Sequence, residues 1–116
     1  MNARILSFLV CAILIALFPT AQAQEKSSDL KSAQALLAAG KYREAADAFT
    51  KVIALSPNDG SAYQGRGQAR VNLKDYAGAI QDYDRAIELY PKSPTLHYLR
   101  GIAKNEIGRA SCRERV

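Results

Sequence analysis

Three groups of residues carry side chains that could do chemistry. His97 is the only histidine and could serve as a general base. Asp82, Asp84 and Glu88 lie within one short stretch, as a carboxylate pair for acid and base work would. Cys112 stands among Arg109, Arg113 and Arg115, a basic setting of the kind that activates thiols. Each candidate weakens when its position along the chain is considered. No serine or cysteine is placed to pair with His97. The three acids fall on the polar side of a helical pattern over Tyr76–Tyr90, where charges normally decorate a solvent face. There Arg85 could support Asp82 at a spacing of three, worth about 0.2–0.5 kcal/mol. No glycine-rich phosphate loop follows a strand, and no strand pattern is present. With one histidine and two cysteines, one of them in the apolar amino-terminal run, Cys and His ligands cannot assemble a metal site. The expectation is a protein that is not an enzyme and holds no cofactor.

The elements that would have to position any site form a repeat. Residues 26–59 align without gaps on residues 60–93, an offset of 34 residues, the period of a helix-turn-helix solenoid. Tyr42 matches Tyr76, Ala45 matches Ala79, Phe49 matches Tyr83, Ile53 matches Ile87, and Pro57 matches Pro91. A third copy begins at Pro94 and keeps the register to Asn105. In the second unit one helix is expected over about Ala62–Leu73 and another over Tyr76–Tyr90. Asp75 can cap the second, because its carboxylate can accept from first-turn amides. Pro91 stops it, having no N–H to donate. Ala79, Tyr83, Ala86, Ile87 and Tyr90 recur at spacings of three and four and make one apolar stripe. Gly67 costs a helix about 1 kcal/mol against alanine, so its register, shared by Ala33 and Gly101, points to close helix packing. The fold class expected is all-α.

The aromatic at Tyr63, with His97 in its place in the third unit, followed by Gly67, Tyr76, Ala79, Tyr83, Ala86 and Pro91, resembles the signature of the tetratricopeptide repeat family. The resemblance covers about Asp29–Asn105. The first unit departs from it, with Asp29 for the aromatic and Ala33 for the glycine. Arg66 and Arg100 stand where leucine is common. The resemblance implies a solenoid of antiparallel helix pairs whose first helices line a concave groove for a protein or peptide partner. It places Gln64, Gln68, Val71 and Asn72 in that groove, with Tyr98 and Ile102 from the third unit and Leu30, Gln34 and Leu37 from the first. The amides could bond a peptide backbone, and Tyr98 could offer a flat apolar contact. It also puts His97 on the aromatic core register. Some family members clamp a terminal carboxylate with lysine, asparagine and arginine. The matching positions here hold Leu30, Gln34, Gly65, Thr95 and Leu99, so that mode of binding is disfavoured.

Both ends of the chain differ from the repeat. Arg4 precedes an apolar run, Ile5–Phe18, then Pro19 and the small residues Ala21 and Ala23. This is the layout of a secretory signal peptide over residues 1–23, and the run is shorter than the roughly 20 residues that cross a bilayer. A chain exported to the bacterial periplasm is expected, with no membrane span after cleavage. The chain has 16 Lys and Arg against 11 Asp and Glu. They are mixed along its length, so no nucleic-acid stripe is apparent. At the other end the register asks for a tyrosine-like residue at Ala110 and a small one at Arg113. A back-translation of Ile107–Val116 reads as a common short-read sequencing adapter. Residues 106–116 are therefore expected to be a non-native tail, and residues 94–105 a truncated third repeat holding only its first helix. The rival is a genuine basic tail carrying the Cys112 thiol. A third repeat without its second helix would expose an apolar side and favour self-association. The function expected is an exported adaptor, with two alternatives. One is the docking arm of a larger envelope enzyme or assembly factor, and the other is a repeat that only self-assembles.

Overall fold

The computed structural model describes residues 25–114. The signal sequence expected over residues 1–23 lies outside the described residues. Five helices follow one another: α1 over residues 25–38, α2 Tyr42–Leu55, α3 Gly60–Asn72, α4 Tyr76–Leu89 and α5 Pro94–Glu114. Connections of three or four residues leave each helix no choice but to fold back antiparallel on the one before. The two helices expected in the second unit are α3 and α4. α3 starts two residues earlier than expected because Asp59 caps it, accepting from the Ser61 N–H at 3.1 Å. Asp75 caps α4 through the Gly78 N–H, also at 3.1 Å. Pro91 follows directly after Tyr90, whose N–H closes the last turn on Ala86.

The turns after α1 and α3 share one design. In the first, the Lys41 N–H donates to the Leu36 carbonyl and Gly40 to Leu37, with Gly40 at φ +79°. In the second, Asp75 donates to Arg70 and Lys74 to Val71, with Lys74 at φ +63°. Both satisfy the last helical carbonyls through a left-handed residue. Glycine takes that conformation freely, whereas lysine is strained there.

The core is two clusters joined end to end. Ala33, Ala45, Phe49, Val52, Ala62 and Ala69 form one, and Tyr63, Tyr83, Ala79, Ala86, Leu96 and Ala103 form the other. Ile53 packs against both, so the apolar interior is continuous from α1 to α5. Phe49, Val52, Tyr83 and Leu96 are its largest fully buried side chains, each contributing about 1.5–3 kcal/mol by burial. Small residues set the helix spacing. A Cβ on Gly67 would lie 2.7 Å from the Tyr83 ring, and one on Gly65 would enter the Phe49 ring.

Two expectations need correcting here. Gly101 shares the register of Gly67, yet a Cβ there would meet nothing within 4 Å. His97 is exposed, and its Nε2 lies 3.1 Å from the Pro91 carbonyl oxygen. Leu96, one residue earlier, is the side chain that α5 buries. The reason is common to both: among the described residues no helix packs on that side of α5. α5 itself runs past the repeat boundary expected at Asn105, straight through Gly108 to Glu114, and among the described residues no helix folds back on it.

Candidate functional site

The concave side is lined by α1, α3 and α5. Leu37, Gln68, Val71, Asn72 and Ile102, all expected in the groove, surround one hollow of about 350 Å³. Tyr42, Tyr83 and Leu99 complete its lining. A second hollow of about 180 Å³ is bordered by Gln34, Ser61, Gln64 and Gly65, with Phe49. Leu37 and Gln68 line both, so the two are one continuous trough. Tyr98 borders neither and stands 68% exposed on α5. Asn72 has already spent one donor, since its side chain donates to the Gln68 carbonyl at 2.9 Å.

Sequence reasoning did not place Phe49, Ser61 and Gly65 at the smaller hollow, and it missed three lining residues of the larger. Tyr42 and Tyr83 read as packing residues, and they are, but half-buried Tyr42 also borders the hollow and fully buried Tyr83 backs it. Leu99 was noticed only for not being a cation at the position of a clamp. A leucine at a groove position is itself the sign of an apolar wall.

The expectation for Asp82 also needs correcting. Its carboxylate is not on a solvent face but is 2% exposed. Arg66 grips it in two-pronged fashion, Nε to Oδ2 at 3.0 Å and Nη2 to Oδ1 at 2.7 Å. Arg70 Nη1 reaches Oδ2 at 2.9 Å and also donates to the Gly78 carbonyl at 3.2 Å. Arg66 further donates to Thr50 Oγ at 3.3 Å, so one guanidinium ties α2, α3 and α4 together. Arg85 does not support Asp82. It pairs with Glu88 at 2.6 Å on the surface. Asp84 instead receives Arg100 from α5 at 2.8 Å. Beside Asp82, burial first and the carboxylate second push the Tyr83 hydroxyl up to about 12. With Asp82 sealed by two arginines and His97 against a backbone carbonyl, the candidate acids and base do not meet.

The tetratricopeptide repeat family model matches residues 30–94, more than half of the sequence. The chain belongs to the tetratricopeptide repeat family. It is 42% identical over 73 residues to tetratricopeptide repeat protein 36 of Homo sapiens, covering 62% of this chain and 38% of that one. It is 37% identical over 91 residues to Hsc70-interacting protein 1 of Drosophila melanogaster, covering 77% and 24%. It thus spans well under half the length of these curated relatives. Among solved structures it resembles the second such domain of Spaghetti (RPAP3), bound to the HSP90 peptide SRMEEVD. The TM-score is 0.71 at 25% identity, covering 78% of this chain and 85% of that one. The pairwise stack of tetratricopeptide helices described above is therefore shared with a domain caught holding a peptide. No described helix is long and apolar enough to cross a membrane.

Proposed function

We propose that this chain is a peptide-capturing module of an exported protein, working as an adaptor in the bacterial envelope. The observation that carries it is the continuous trough across α1, α3 and α5, bordered by Gln34, Leu37, Gln64, Gln68, Val71 and Ile102. A solenoid offers such a surface without any moving part. The RPAP3 domain, similar in fold, holds a peptide. Export rests on the sequence alone, on the apolar run Ile5–Phe18 followed by Ala21 and Ala23.

The test is a photo-crosslinking residue at position 72 in the living host. One protein should crosslink, and Val71→Glu, which puts a charge into the trough, should abolish it. Crosslinks only to further copies of this chain would favour self-assembly instead. A second reading has its own support. The relatives extend far beyond the matched stretch, so the repeats could be the docking arm of a larger enzyme or assembly factor.

A further inference from the structure

We infer that the trough takes an uncharged, internal stretch of extended peptide anchored by one bulky aliphatic or aromatic side chain, and does not take an acidic chain end. This rests on the reading of the trough as a peptide site and names the chemistry of its occupant.

The larger hollow is a socket. Leu37, Val71, Leu99 and Ile102 wall it, with Tyr42 and Tyr83 beside them. Its volume of about 350 Å³ sits at the low end of pockets that hold small ligands, which suits a single large side chain. The smaller hollow is different in kind. Gln34, Gln64, Gln68 and Ser61 border it, and each of these side chains both donates and accepts. That matches a peptide backbone, which alternates N–H and C=O and needs both. An extended chain sends successive side chains to opposite sides. One can enter the socket while the neighbouring backbone passes over the amides.

Charge decides against a chain end. This sequence carries 27 Asp, Glu, Lys and Arg residues (16 basic, 11 acidic), yet among the described residues no charged side chain borders either hollow. A carboxylate entering the trough would lose water and gain no countercharge. The cations of α3 offer no help, because Arg66 and Arg70 are both held by Asp82. The positions where a carboxylate clamp would sit hold Leu30, Gln34, Gly65, Thr95 and Leu99. Both hollows are complete by Ile102, and residues 106–116 border neither.

The experiment is selection of a random nine-residue library, displayed internally between glycine-serine flanks, on the full chain. Enriched peptides are then synthesised with both ends blocked, and SRMEEVD is run beside them with its free carboxylate. The expected peptides carry one Leu, Ile, Met, Phe or Tyr at a fixed position and few charges around it. Replacing that residue by Ala should weaken binding about tenfold or more. Raising salt from about 0.05 to 0.5 M should change the affinity less than about twofold, since no ion pair is screened. Ile102→Glu should abolish binding while leaving the circular-dichroism melt in place. Acidic winners, or a requirement for a free carboxylate, would overturn the inference and leave the trough standing as a peptide site. Winners indifferent to both Ile102→Glu and Val71→Glu would overturn the peptide-site reading as well, and so would a library that enriches nothing.

Discussion

Helices α3 and α5 occupy the same register of successive repeats and meet opposite fates. Tyr63 is in the core and its counterpart His97 is in solvent. Gly67 lies under the Tyr83 ring, while Gly101 faces open space. Arg66 holds the buried Asp82 and also Thr50. Arg100 has only Asp84, the counterpart of Thr50. The register tells a helix what to present. Whether that becomes core depends on a second helix arriving, and α4 arrives on α3 while no described helix packs on the side of α5 that carries His97 and Gly101.

The comparison can be broken most sharply at the arginines. Asp82→Ala leaves Arg66 without its carboxylate and Arg70 with only the more distant Asp75, and should cost about 3–5 kcal/mol. Arg100→Ala should cost no more than about 1 kcal/mol, since its pair is exposed. Urea titrations of both variants measure the gap, and equal losses would mean α5 is covered after all. Glycines give the next test. Gly67→Ala must push Tyr83 aside and should destabilise by about 1–3 kcal/mol. Gly101→Ala has room and should stabilise by about 1 kcal/mol through helix propensity.

Alkaline pH, read against Tyr83→Phe, probes the α3–α4 contact. Tyr83 in the fold is held up to about 12, above its ordinary value of 10.0. Its contribution to stability is therefore complete below pH 10 and is lost as pH rises through about 12. The urea midpoint should fall over that window, and Tyr83→Phe should flatten the fall. The smallest effects belong to the turns. Lys74→Gly relieves a left-handed lysine and should gain about 0.5–1 kcal/mol, the strain of lysine less the entropy of glycine. Gly108 holds the same register in α5 and does not turn at all. A turn made by strained lysine and absent at glycine shows that packing, not the loop residue, folds the chain back. If Lys74→Gly destabilises instead, that conclusion fails.

The sequence made some of this legible and hid the rest for physical reasons. Asp75 as a cap, Pro91 as a stop and Gly67 as a close approach depend on local chemistry or on a contact within one repeat, and each was readable. The groove positions followed from register, and seven of the nine border the trough; Leu30 packs against the first core cluster instead. Tyr98 does not border it either and stands exposed, although Leu99 and Ile102 of the same helix line the larger hollow. Asp82 was misread because a carboxylate among Asp84, Arg85 and Glu88 looks like surface. The visible clue was on the other helix. An arginine at position 66, where leucine is common, asks for an acid in the interior. His97 stays out of the core because register alone does not bring a covering helix.

The Arg66 clasp has a consequence for how the molecule comes apart. A stack of repeats is a one-dimensional chain of weakly joined units, free in principle to peel from either end. One guanidinium bonded to Thr50 in one unit and to Asp82 in the next works as a rivet through both plates. Pulled from its termini, such a chain should yield residues 42–89 in a single rip rather than two, with α5 tearing away first at low force.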